Sequence, residues 1–167
     1  DTDIGFCVIS NSGKRIWFIL ESWRISILGI FFSITTGPTG EESGWRGYLR
    51  PYLNGKYSFF KASVIQGVIW AFWHMVLWFV DSDFMGVQMI LYVISNVVVM
   101  TGLCFIMNFF MEKHDNLIYG IVIHFCFNFL YCFLQVDIWF YVVLSAVYVM
   151  IIAMLCLARK RIGDLNG

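Results

Sequence analysis

Residues 84–111 read FMGVQMILYVISNVVVMTGLCFIMNFFM, a stretch without a single charged side chain. One helix of about 20 mostly apolar residues spans a bilayer, so this stretch is long enough to cross a membrane. Further apolar runs lie at residues 59–80, 117–134 and 138–158, and an interrupted one lies within residues 16–49. The sequence therefore predicts an all-α, polytopic transmembrane helical bundle with about five spans.

The composition of the whole chain also indicates a membrane protein. Of its 167 residues, 60% are hydrophobic and 13% are charged, whereas a soluble domain usually carries about 25% charged residues. A surface this poor in polar groups needs lipid as its solvent, so membrane lipid is the first expected partner. The formal net charge is +0, which gives no electrostatic basis for binding nucleic acid. With no repeat and no linker, residues 1–167 are predicted to form a single membrane domain.

Basic residues between the spans predict the orientation of the bundle. Cytoplasmic loops of membrane proteins carry an excess of Lys and Arg. Here the loops that follow the spans within residues 16–49, 84–111 and 138–158 carry these basic residues. They are Arg50, Lys56, Lys61, Lys113, Arg159, Lys160 and Arg161. We expect that side to be cytoplasmic, in a multi-pass protein of the cell membrane. Residues 1–15 would then lie outside, which predicts further spans upstream.

Polar side chains occur at membrane depth in three of the apolar segments. A charged group at the bilayer centre costs roughly 2.5–3.5 kcal/mol on insertion scales, so such residues serve pairing, cavities or chemistry. Counted from the nearest basic residue on the cytoplasmic side, Glu41, His74 and His124 lie nine, thirteen and eleven residues deep. At about 1.5 Å per residue, these depths are roughly 13, 20 and 16 Å. The three groups therefore predict one polar cavity that opens to the cytoplasm.

Two further polar residues are expected to support this cavity. The run Gly-Pro-Thr-Gly at residues 37–40 should break or kink the first span. Glu42 and Arg46 follow it four residues apart, so they share a helix face and can pair. Glu41 then points elsewhere. Glu42 and Arg46 are predicted to stabilise either the site or only the kinked end of the helix.

The set Glu41, His74, His124 and Asn128 suits hydrolysis inside a membrane. A carboxylate and an imidazole can hold a water molecule and take its proton. His124 and Asn128 lie four residues apart, on one helix face, and can donate hydrogen bonds to a developing oxyanion. No Ser or Cys stands in an equivalent constellation, which argues against a covalent mechanism. These four residues are therefore the predicted catalytic set.

A metal site is an open alternative for three of the same side chains. Glu41, His74 and His124 would supply one carboxylate and two imidazoles, which are ligands of catalytic zinc sites with an open position. Their spacing is not that of the His-Glu-x-x-His motif. A divalent metal such as zinc therefore stays open as a cofactor.

At these positions the chain resembles the membrane CAAX prenyl endopeptidase family, which includes bacterial bacteriocin-processing and self-immunity proteins (CPBP or Abi proteins). The family pattern is Glu-Glu-x-x-x-Arg, then an aromatic-x-x-x-His, then His-x-x-x followed by Asn or a small residue. Residues 41–46, 70–74 and 124–128 match it, and the resemblance covers about residues 30–130. The second motif often begins with Phe in the family, and here it begins with Trp70.

This resemblance implies an intramembrane endopeptidase, of the glutamate or the metallo type, that acts on a membrane-associated peptide or protein. Glu41 and His74 would activate water, and His124 and Asn128 would stabilise the transition state. The alternative is a non-catalytic self-immunity protein that binds a peptide or a transporter in the same cavity. A fragment of a proton-coupled transporter is a third interpretation, but no inverted repeat is found.

The orientation predicts the side of a C-terminal reporter. A reporter fused after Arg161 should lie in the cytoplasm, because seven basic residues face that side. Protease protection or compartment-specific activity of the reporter measures this directly. An external reporter would contradict the predicted orientation.

Overall fold

Helices dominate the part of the chain that the structure, a computed structural model, describes, namely residues 34–131, 134 and 136–165. No strand occurs within these ranges, so the predicted all-α helical bundle is confirmed. In chain order, the helical elements are α1 (residues 35–54), α2 (Phe59–Asp81), α3 (Val87–Lys113), α4 (Leu117–Tyr131) and α5 (Ile138–Leu165).

Within these ranges, three helices are long and apolar enough to cross a membrane, namely α2, α3 and α5. They correspond to the spans predicted at residues 59–80, 84–111 and 138–158. The span predicted at residues 117–134 is the apolar helix α4, which is shorter, at 15 residues. Residues 1–33, which include much of the first predicted span, lie outside the described residues. The total of five spans and the spans upstream therefore stay predictions.

Helix α1 continues through Gly-Pro-Thr-Gly at residues 37–40, the run that was expected to break it. Its residues keep right-handed helical dihedrals there, with Gly40 at φ -66 and ψ -49. A proline in an α-helix clashes with the carbonyl four residues back. Here Pro38 lies inside a π turn, whose hydrogen bonds span five residues. The expected break is therefore wrong, whereas the expected kink stays a prediction. The backbone winds as π turns at Thr35–Thr39 and Ser43–Leu49 and as α turns at Gly40–Glu42 and Arg50–Asn54.

Helix α3 is the central element and packs against both α2 and α5. Two glycines make these contacts close. A Cβ at Gly67 of α2 would overlap the Cα of Thr101, and a Cβ at Gly102 of α3 would overlap the ring of Tyr148 on α5. Small residues let helix backbones approach each other, which is a common way of packing helices in lipid. The contact at Gly67 fixes the position of α2, which holds Trp70 and His74.

Ion pairs connect the ends of the helices that were predicted to be cytoplasmic. Arg50 Nη1 of α1 lies 2.6 Å from Asp115 Oδ1, between α3 and α4. Arg159 of α5 bonds Glu112 of α3 through Nε and Nη2, at 3.0 and 2.7 Å from Oε1, and its guanidinium lies 4.9 Å over the Phe59 ring at the start of α2. These basic loops therefore meet at one end of the bundle. The side of the membrane on which this end lies stays a prediction.

The contact at Gly67 predicts a specific stability effect. Gly67→Ala should lower the free energy of unfolding by about 1–3 kcal/mol, because backbone atoms of α3 must move to admit the methyl group. Thermal unfolding in detergent measures the change. Gly37→Ala is the matched control, since a Cβ at Gly37 meets nothing within 4 Å. Equal melting temperatures for the two variants would contradict the close contact of α2 with α3.

Candidate active site

Glu41 of α1 meets α2 at the turn that holds Trp70 and His74. Its Oε2 accepts a hydrogen bond from the indole Nε1–H of Trp70 at 2.9 Å. The same oxygen lies 3.8 Å from His74 Nε2. The side chains of Glu41 and His74 are 27% and 19% exposed, so both are shielded but reachable. The structure thus brings together the two residues that were predicted to activate water.

The other ring nitrogen of His74 is held by the backbone of its own helix. His74 Nδ1 lies 3.1 Å from the carbonyl oxygen of Trp70, one turn earlier. A carbonyl oxygen only accepts hydrogen bonds, so Nδ1 bears the proton in this contact. In a neutral imidazole, Nε2 is then the acceptor nitrogen. This is the nitrogen that faces Glu41.

Glu42 occupies the centre of a second, buried cluster. Its Oε1 lies 2.9 Å from Arg46 Nη1 and 2.9 Å from His124 Nδ1. Arg46 Nη2 also reaches Cys104 Sγ of α3 at 3.1 Å. Glu42, Arg46 and His124 are all almost fully excluded from solvent. The predicted pairing of Glu42 with Arg46 is confirmed, and it extends to His124 on α4.

Gly120 allows α4 to approach Glu42. A Cβ at this position would lie 2.8 Å from Glu42 Oε2, which is too close for a carbon and an oxygen atom. Gly120 precedes His124 by four residues and therefore lies on the same face of α4. Sequence reasoning missed Gly120, although its spacing from His124 is a signal that could have identified it.

Trp70 contacts both clusters and is 1% exposed. Its indole N–H binds Glu41, and the Arg46 guanidinium carbon lies 4.2 Å from its ring centroid. The rings of His124 and His74 are T-shaped to it, with centroids 5.0 and 5.7 Å away. The sequence predicted one polar cavity, and the structure has two polar clusters around one indole. Trp70 had been identified only as the first residue of a motif.

A groove of about 540 Å³ lies beside Glu41. Two of its aromatic residues, Trp45 of α1 and Trp73 of α2, pack edge to face with ring centroids 6.2 Å apart. Apart from the Glu41 carboxylate, its side chains are mostly apolar or aromatic. This aromatic groove is lined by Gly40, Glu41, Gly44, Trp45, Tyr48, Leu49 and Trp73.

Asn128 follows His124 by one turn of α4. Its side chain is exposed, whereas His124 is buried against Glu42. The geometry therefore places the two residues on one helix in different surroundings. Their shared role at an oxyanion stays a prediction.

The donor set predicted for a metal ion does not converge. Glu41 and His74 face each other, whereas His124 directs its Nδ1 to Glu42. In the described part of the chain, no three His, Cys, Asp or Glu side chains are arranged to hold a metal ion. Zinc dependence stays a prediction from the sequence.

Comparison with known proteins gives the site a context. Residues 23–130 match the family described as type II CAAX prenyl endopeptidase Rce1-like. The chain is also similar to CAAX prenyl protease 2 of Methanococcus maripaludis, with 28% identity over 117 residues, which cover 64% of this chain and 41% of that protein. The match thus spans less than half the length of this curated relative. No solved structure matches the chain.

Arg46 is predicted to act mainly on stability. Breaking a buried ion pair costs about 3–5 kcal/mol, because the remaining charge is left uncompensated, so Arg46→Ala should strongly lower the melting temperature in detergent. Arg159→Ala is the control, since its ion pair is exposed and contributes only about 0–1 kcal/mol. A fully stable but inactive Arg46→Ala protein would instead place Arg46 against the substrate.

Proposed function

Because this chain belongs to the type II CAAX prenyl endopeptidase Rce1-like family, we propose that it is an intramembrane endopeptidase. It hydrolyses a peptide bond of a membrane-associated peptide or protein. The observation that supports this best is the approach of Glu41 Oε2 to His74 Nε2, at 3.8 Å, beside the aromatic groove. The chain is a membrane protein, and we further propose that the groove opens to the cytoplasm.

Glu41 and His74 are proposed to activate the attacking water. A separation of 3.8 Å is too long for a direct hydrogen bond and suits a water molecule that bridges the two groups. His74 Nε2, the acceptor nitrogen of the neutral ring, accepts a hydrogen bond from one O–H of the water and so orients it. The Glu41 carboxylate takes the other proton as the oxygen attacks the peptide carbonyl. Glu41 then returns this proton to the leaving amine, which balances the hydrolysis.

His124 and Asn128 are proposed to stabilise the oxyanion that this attack creates. A carboxylate only accepts hydrogen bonds, so His124 Nδ1 donates to Glu42. A donor at Nε2 then requires the imidazolium form, and the cluster of Glu42, Arg46 and His124 would then carry one net positive charge beside the oxyanion. The Asn128 amide would add a neutral donor. Glu42 acts here as a positioning residue because it holds His124, and Arg46 supports it by pairing with the same Glu42 oxygen.

The aromatic groove suits an apolar segment next to the scissile bond. Trp45, Tyr48 and Trp73 offer large apolar surfaces, while a Cβ at Gly40 or Gly44 would meet nothing within 4 Å. The relative from Methanococcus maripaludis is named a CAAX prenyl protease. We propose that this chain likewise takes a peptide that is anchored in the membrane by an apolar group. An extended chain in the groove would bring its carbonyl to Glu41.

Glu41→Gln and His74→Ala should each abolish cleavage while leaving the protein folded. General acid–base groups contribute about 10²–10⁴ in rate, so the expected loss in kcat is at least about a hundredfold. The assay is cleavage of membrane peptides in proteoliposomes, for each protein with and without a strong chelator. Glu112→Gln is the matched control, because Glu112 is exposed and lies in the ion pair at the helix ends.

The outcomes separate the remaining alternatives. Cleavage that survives in Glu41→Gln or His74→Ala contradicts the assigned roles. Cleavage by the wild type that chelation abolishes indicates a metal enzyme. If no peptide is cleaved by any of the proteins, a binding-only self-immunity protein becomes the better interpretation.

A further inference from the structure

We propose that Trp70 is a positioning residue that orients both Glu41 and His74 toward one water molecule. Its side chain holds the carboxylate, and its main-chain carbonyl holds the imidazole. The kinetic consequence rests on the proposed function, whereas the contacts themselves are independent of it.

The indole N–H fixes the rotation of the Glu41 carboxylate. The terminal torsion of a Glu side chain is broad and has no strong preference of its own. The 2.9 Å hydrogen bond from Trp70 Nε1 ends on Oε2, the oxygen that faces His74 Nε2. A hydrogen bond to a charged acceptor is roughly twice as strong as a neutral one. Trp70 therefore keeps Oε2 on the side where the water is needed.

The main chain of the same residue fixes the His74 ring. The Trp70 carbonyl accepts from Nδ1, which turns Nε2 toward Glu41. The edge-to-face contact of the two rings, with centroids 5.7 Å apart, restricts rotation of the imidazole. One residue thus determines which atoms of the pair face each other.

Trp70 can orient other groups because it is itself immobilised. It is 1% exposed, and the Arg46 guanidinium covers its face at 4.2 Å. Arg46 is held in turn by Glu42. Trp is the best ring for a cation–π contact, so the same side chain couples the buried cluster to Glu41.

Trp70→Phe tests the indole N–H donor separately from the aromatic ring. Phe retains an aromatic ring under Arg46 but has no N–H donor, so the fold should survive while the carboxylate loses its orientation. Because a displaced catalytic group costs up to about 10² in rate, we expect kcat to fall about tenfold or more while KM stays within about twofold. The matched control is Trp78→Phe, which makes the same change two turns further along α2, where the indole packs against Tyr92 at 6.3 Å.

The kinetic result decides between orientation and packing. A loss of kcat in Trp70→Phe, at unchanged KM and with Trp78→Phe close to wild type, supports the proposal. An equal loss of kcat in both variants, or a loss that follows a lowered melting temperature, overturns it.

A second measurement tests the contact without any activity. In detergent-solubilised protein with ¹⁵N-labelled tryptophan, Glu41→Ala should shift one of the seven indole N–H signals strongly, because its charged acceptor is gone. Trp70→Phe should remove that same signal. If the signal that Trp70→Phe removes does not move in Glu41→Ala, the proposed hydrogen bond is wrong. If the wild type cleaves no peptide but this signal moves, only the proposed function fails.

Discussion

The burial of the Glu42 carboxylate is the constraint on which the site depends. A charge removed from water is tolerated only when it is paired and hydrogen-bonded. Arg46 and His124 supply both partners on one oxygen, at 2.9 Å each. Because these partners come from α1 and α4, the pairing fixes how the two helices face each other. Contacts of Arg46 with Trp70 and Cys104 extend the same constraint to α2 and α3.

Two adjacent carboxylates have different environments for this reason. Glu42 is fully buried against Arg46 and His124, whereas Glu41 is 27% exposed at the aromatic groove. The helical turns around them direct one side chain to α4 and the other to α2. Environment, and not residue type, assigns different tasks to two like groups. Here it leaves Glu41 near solvent beside the aromatic groove and makes Glu42 a fixed anchor.

Much of the site follows from local spacing. The pairing of Glu42 with Arg46 was predictable because residues four apart share a helix face. The meeting of Glu41 with His74 agrees with their similar predicted depth. In contrast, the continuity of α1 through Pro38 was missed, because the rule for proline concerns α-helical geometry and this segment uses π turns. Gly120 was missed because its role appears only when a second helix lies against it.

The sequence by itself determined the class of the protein, its helices and its set of polar groups, because hydrophobicity and helical spacing are properties of neighbouring residues. Only the tertiary structure decided that His124 meets Glu42 and that Glu41 is left to His74. That choice depends on how each helix is rotated about its own axis. The close contacts at Gly67 and Gly120 set these rotations, and they join residues far apart in the chain. The indole N–H of Trp70 therefore reaches Glu41 only because α1 packs against α2.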